Sequence, residues 1–341
     1  MVKAACIALA IQLMAVCPAN SAGARGATAP GWSWTPDGNI LPAAPPRFEK
    51  VSDHVYFLQP KGDGANVAAV SAEGGLLLVN PPAEPDLQPV LEALKRIAAR
   101  PVRWVVDTDY LLERSGGGAM LLGQGAALLA SSDLRRLASA APEQAGKSAG
   151  VEEARAEAGP RISFTRQMRL FPDNLEIRII AVQHKAVTAG DVMVFIPAEK
   201  VLITGQLFVS GRFPEIDRTG GEGSALGWID GLKQAIDTVP LLKSAMPQPK
   251  PDPSKPPPEE KTLEELVTVI PGRGQRSNLQ EMKDLLEAAL KLRSELARAI
   301  GAGRSRESTL SSSALGAVRS LGNFESFAAL LFDDLAAQRA K

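Results

Sequence analysis

The run VRWVVD, Val102 to Asp107, constrains the fold more than any other stretch of this chain. It is short and apolar and lacks the clean polar alternation of a half-exposed strand, so it reads as a strand covered on both faces. It leads directly into TDYLLERSGGGAM, a loop rich in glycine that enters a short helix over Gly116–Gln124. A strand buried on both sides needs a layer above and a layer below. The rest of the chain has to supply those layers.

Strand-like and helix-like runs alternate to do so. HVYFLQ (54–59) alternates, and ANVAAVSAEGGLLLVN reads as a hairpin turning at Glu73-Gly74-Gly75. DLQPVLEALKRIAAR places Leu87, Val90, Leu91, Leu94 and Ile97 on one helical face. AALLAS, ISFTRQMRLF, LEIRIIAV and DVMVFIPAEKVLIT read as further strands, the last folded over a Pro-Ala-Glu-Lys turn. ALGWIDGLKQAIDTV is an amphipathic helix, and LVTVIPGRG is a strand ending in a glycine turn. Ser277 is expected to cap a long helix, with Gln280 at the capping-box position and Leu279, Met282, Leu286, Leu290 and Ile300 on the buried stripe. Two strand-rich halves, each followed by helices, predict an α/β fold: an αββα sandwich of two mixed sheets packed face to face with helices outside.

The 341 residues suffice for one large domain with a sizeable core. Four regions are expected. Residues 1–22 carry one basic residue, Lys3, then an apolar run from Ala4 to Val16 and small residues up to Ala22 and Ala24, the pattern of a cleaved signal peptide. The run is shorter than the ~20 apolar residues that span a bilayer. Bulky Val16 disfavours lipid attachment at Cys17. Residues 23–47 are a Pro/Gly-rich extended arm with Trp32 and Trp34, and 48–302 form the sandwich, interrupted by a proline-rich loop at 246–261. Residues 303–341 form a C-terminal helical extension. The expected location is periplasmic or secreted.

Composition restricts the chemistry. Lys plus Arg balances Asp plus Glu, giving a formal net charge of zero, which argues against a nucleic-acid binder. Both cysteines, Cys6 and Cys17, lie in the leader, so the rest of the chain has no thiol nucleophile or thiolate ligand. Its only imidazoles are His54 and His184. Neither has a triad-like context in sequence, so His54 reads as a structural turn residue and Ser115 as a helix N-cap rather than a nucleophile.

Five segments in series now carry a resemblance: VYFLQPKGDGANVAAVSAEGGLLLVN, PVRWVVDTDYLLERSGGG, VTAGDVMVFIPAEKVLITGQLF, the Trp228 helix, and VIPGRGQ before a long helix. From about Val51 to about Leu310 the chain resembles the metallo-β-lactamase-fold hydrolases. That resemblance implies zinc, held by a T-H-x-H-x-D-H-x-G-G loop and later His, Asp and His positions. Zinc takes nitrogen or thiolate donors and lowers the pKa of a bound water to about 7. Here Thr108, Gly116 and Gly117 match the loop motif, and Thr188, Gly190 and Asp191 match the later T-x-G-D. The ligand positions do not: they fall on Asp109, Leu111, Glu113, Arg114, Val187, Gln206 and Arg273. Leucine and valine offer no donor, glutamine is a poor one, and arginine is permanently cationic.

The resemblance therefore implies the fold without its zinc cofactor: an exported binding or accessory protein with no catalytic residues at that site. Arg114 and Arg273 are expected to sit near the emptied metal position and to neutralise Asp109 and Glu113, or to bind a small anionic ligand. A periplasmic protein is the other expected class of partner. A layout shared with exported relatives that accompany quinone-dependent dehydrogenases points the same way. The alternative is a hydrolase of esters, thioesters, lactams or phosphodiesters with a rebuilt metal site drawing on Asp107, Asp191 or His184.

Overall fold

A computed structural model describes residues 45–340 apart from 63, 84, 110–111, 141–159 and 240–265, together with two short strands before them. Those strands, β1 (Trp32–Trp34) and β2 (Ile40–Pro42), pair antiparallel within a separate N-terminal unit ending at Ala44. The leader and the proline-rich loop 246–261 lie outside the described residues.

The main unit, Pro45–Lys341, contains two sheets. The first has seven strands in sequence order: β3 (Glu49–Lys50), β4 (Val55–Leu58), β5 (Val67–Ala72), β6 (Gly75–Val79), β7 (Val102–Val106), β8 (Ala127–Ser131) and β9 (Ile162–Phe164). β3 to β6 run antiparallel and β6 to β9 parallel. The parallel half needs crossovers, which α1 (Leu87–Lys95), α2 (Leu112–Gly123) and α3 (Ser132–Ala140) provide. The second sheet has six strands: β10 (Gln167–Leu170), β11 (Ile177–Ala181), β12 (Val192–Ile196), β13 (Val201–Gly205), β14 (Thr268–Pro271) and β15 (Ser277–Asn278). Its helices are α4 (Ala225–Thr238), α5 (Leu279–Gly301), α6 (Arg306–Leu310), α7 (Gly316–Arg319) and α8 (Phe324–Arg339).

Side-chain alternation assigns each face. Val55, Phe57, Ala68 and Val70 from the first sheet pack against Ile177, Ile179, Val192 and Val194 from the second, forming the core between the sheets. The opposite faces are also apolar. Leu58, Val67 and Ala69 meet α1 through Leu87 and Leu94, and Met193, Phe195 and Leu202 meet α4 and α5 through Trp228 and Leu292. Four layers result, the expected αββα sandwich. Val105 and Val106 of β7 are fully buried, while Arg103 near its start is exposed.

Local chemistry departs from the sequence reading in three places. The cap of α5 is Asn278, whose side chain accepts from Glu281 N–H; Ser277 instead donates its hydroxyl to the Glu281 carboxylate at 2.7 Å. The buried stripe of α5 runs through Leu279, Met282, Leu285, Ala289, Leu292, Leu296 and Ala299, leaving Leu286, Leu290 and Ile300 at its margin. Ser115 and Gly116–Gly118 lie inside α2, not ahead of it. The glycines are needed there for space: a Cβ at Gly117 would overlap the Pro81 and Pro82 carbonyls, and one at Gly118 would stand 2.8 Å from Asp107 Oδ2.

The C-terminal helices are built into the domain. Phe327 of α8 stacks on Phe213 at 4.4 Å and meets Trp228 edge-on at 4.9 Å, all three fully buried. Asp334 of α8 accepts hydrogen bonds from Ser224 Oγ (2.9 Å) and Leu226 N–H (3.0 Å) at the start of α4, and pairs with Arg218.

Candidate functional site

The site lies where β6, β7, β13 and β14 end and β5 begins. Two residues stitch the sheets together there. Thr108, following β7, donates from N–H (2.9 Å) and Oγ1 (3.1 Å) to Asn80 Oδ1 at the end of β6. Its carbonyl accepts from Val192 N–H of the second sheet at 2.8 Å. Gly205 packs directly on the Thr108 side chain with φ +54°, so a Cβ there would overlap the hydroxyl. Asn66, just before β5, donates N–H to the Gly272 carbonyl (2.9 Å) and Nδ2 to the carbonyls of Pro271 (2.8 Å) and Gly274 (2.9 Å). Gly272 in turn lies against Gly205 and Gln206. The loops after β7, β13 and β14 are thus held together.

Three aspartates are buried in this region: Asp107, Asp109 and Asp191. Burial, with the charge of Asp109 adding to it, pushes Asp107 well above the usual carboxylate range, and its Oδ1 has no hydrogen-bond partner among the described residues. Burial also pushes Asp191 up to about 7, opposed by hydrogen bonds from Thr188 and reinforced by Asp109. The Thr188 hydroxyl donates to Asp191 Oδ1 at 2.6 Å and Thr188 N–H reaches both oxygens. This end of the molecule therefore favours neutral carboxyl groups.

The residues that the sequence resemblance puts at ligand positions lie as follows. Asp109 is buried, Val187 is fully buried hydrocarbon, and Gln206 is buried with Nε2 lacking a hydrogen-bond partner among the described residues. Arg273 is half-buried in the loop after β14. Glu113 and Arg114 lie in the first turn of α2; Leu111 falls outside the described residues. Asp109, Gln206 and Arg273 belong to the stitched loops around Thr108, and Val187 stands one residue before Thr188. His184 is exposed beside Asp230 and Asp237 of α4.

Zinc does not fit this donor set. A hydrocarbon wall at Val187, an amide with a buried N–H2 at Gln206 and a guanidinium at Arg273 offer neither nitrogen lone pairs nor thiolates. Among the described residues no group of three or more His, Cys, Asp or Glu side chains is arranged to hold a metal.

Sequence reasoning missed the ties made by Asn66 and Asn80. Only Asn80 left a trace: a non-glycine at φ 55° ending a strand, a role asparagine tolerates. It also missed that His54 has an acidic partner, Glu199, 145 residues away.

No protein-family model and no curated protein matches this sequence. Solved structures do match. A metallo-beta-lactamase from Pontibacter korlensis superposes with a TM-score of 0.54 at 15% identity, covering 72% of this chain and 99% of that one. The DIM-1 metallo-beta-lactamase gives 0.51 at 18% identity, and TMB-1 gives 0.50 at 17%, each covering 72% of this chain and 99% of the other. At such identities the likeness shows the fold: this chain is a metallo-β-lactamase-type sandwich.

Proposed function

We propose that this chain is an exported metallo-β-lactamase-fold protein that acts at its loop end by binding, not by zinc hydrolysis. What carries the reading is Val187: a fully buried side chain without a donor atom stands where the family places a ligand. Gln206 and Arg273 support it from two other loops. Fold alone does not assign activity; the site does.

The ligand class follows from the remaining charge. Arg114 and Arg273 suit a carboxylate or phosphate group on a small ligand or on a periplasmic protein. Export rests on the leader sequence, and no described helix is long and apolar enough to cross a membrane.

Turnover tests the reading. The purified protein, supplied in turn with zinc, manganese and magnesium, is expected to leave a lactam, a thioester and a phosphodiester unhydrolysed. Metal-dependent turnover of any of them, abolished by Asp109→Ala, would overturn it.

A further inference from the structure

The four edges of the two sheets differ in what they offer a further strand. β3 and β15 have two residues each and β9 has three, and edges that short are poor templates for pairing. β10 has four, Gln167–Leu170, and pairs on one side only, with β11. The Arg166 carbonyl accepts from Ala181 N–H at 2.9 Å, so residues 166, 168 and 170 turn their backbone groups toward β11. By alternation Gln167 and Arg169 turn their N–H and carbonyl groups away from the sheet, where no strand lies opposite among the described residues.

The side chains of this edge select what can lie there. Met168 and Leu170 pack against the core between the sheets. Arg169 lies on the other face, 51% exposed, with its guanidinium 5.0 Å over the ring of Phe171, itself 57% exposed. Phe171 and Ile162 are two of the three exposed large apolar side chains among the described residues, and both belong to this one segment. No acidic residue occurs from Pro160 to Pro172, whereas Arg161, Arg166 and Arg169 are all exposed there. Glu176 accepts from Arg169 Nε (2.6 Å) and Arg178 Nε (2.7 Å), so one carboxylate serves two guanidinium groups. Arg161 and Arg166 make no ion pair among the described residues. The edge therefore keeps a surplus of positive charge.

We propose that β10 is a docking edge for an extended acidic segment of another protein, which adds to the second sheet as a further strand. The incoming strand bonds to the outward backbone groups of Gln167 and Arg169. Its side chains directly opposite those residues share their face, where a carboxylate meets Arg169. The side chains between them lie on the face of Met168 and Leu170, where branched apolar groups fit. A second copy of this chain is the poorer occupant. Pairing β10 with β10 about a two-fold axis sets Arg166 and Arg169 of one copy against those of the other, and opposed like charges destabilise a strand pair. The edge does not draw on the loop-end residues, so its role stands apart from theirs.

The test is fluorescence anisotropy of a labelled peptide alternating valine and glutamate, titrated with the purified full chain. A valine–lysine peptide is the control, and phosphatidylserine vesicles are a separate probe. Saturable binding of the glutamate peptide is expected, weakened at least ~10-fold by Arg169→Gln and by Gln167→Pro. Gln167→Pro removes an N–H that points away from β11, a change edge strands tolerate. Thermal melting checks that both variants fold. Hydrogen exchange of the unaltered protein gives a readout that needs no variant: the peptide should slow the Gln167 and Arg169 amides. The proposal is wrong if the glutamate peptide fails to bind at ~1 mM, or if the lysine peptide binds as well. It is also wrong if Gln167→Pro folds and binds undiminished, or if the two amides exchange as fast with peptide as without, since charge alone then holds the peptide. Binding to the vesicles but not to the glutamate peptide, lost on Phe171→Ser, would make the edge a membrane contact and overturn it.

Discussion

Replacing Asp191 with asparagine isolates the electrostatics of the loop end. The carboxyl is raised from an ordinary 3.8 to about 7, chiefly by burial. A folded-state pKa above the unfolded value means the native state binds the proton more tightly. The group's stabilising contribution is therefore complete below about pH 4 and declines as pH rises toward 7, levelling off above. Between about pH 5 and about pH 8 the wild type should lose roughly 2–3 kcal/mol from this group alone. Asparagine has no proton to lose, and its Oδ1 can still accept from Thr188 N–H and Oγ1. Glu222, held near 2 by Arg136 and Lys185, is already ionised throughout this window. Urea unfolding of both proteins at several pH values gives the difference directly. Asp191→Asn should gain on the wild type steadily as pH rises; a pH-independent difference, or one of opposite slope, would refute the burial argument.

Other expectations follow from packing. Gly205→Ala should cost at least ~3 kcal/mol or prevent folding, because its Cβ would overlap Thr108 at a positive φ, whereas Gly123→Ala, with nothing within 4 Å, should stabilise α2 by ~0.5 kcal/mol; chemical denaturation separates the two. Phe327→Ala removes a ring stacked on Phe213 and edge-on to Trp228 and should cost ~3–5 kcal/mol, read as an earlier denaturation midpoint. Arg273→Ala should lower the melting temperature measured by calorimetry, because a half-buried guanidinium in the stitched loops has its partners nearby.

The layers were legible in the sequence because apolar runs such as Val192–Ile196 leave a strand no exposed face; in Val102–Val106 only Val105 and Val106 are fully buried. Turns were legible where one residue type fits the backbone, as at Gly75 with φ +137°. The start of α2 was not. Three glycines usually mark a loop, but here close approach to Pro81, Pro82 and Asp107 selects two of them, Gly117 and Gly118, inside a helix, and nothing local encodes that contact. The cap of α5 was misplaced by one residue because Ser277 and Asn278 both suit the role, and only the tertiary position of Glu281 separates them. Leu285 displaced Leu286 from the buried stripe for a similar reason: adjacent leucines leave helix rotation to be set by the partner surface. At the loop end, the donor substitutions could be read residue by residue. The upward push on Asp107 and Asp191 could not, because burial is a property of the assembled sheets. His54 and Glu199 meet only when the two sheets are stacked.

A binding role for the loop end requires that it hold no divalent ion. Calorimetric titration of the purified protein with zinc, after exhaustive chelation, tests this directly. No saturable binding is predicted at ~100 µM metal. One or two zinc ions bound stoichiometrically with submicromolar affinity, and lost on Asp109→Ala, would contradict it.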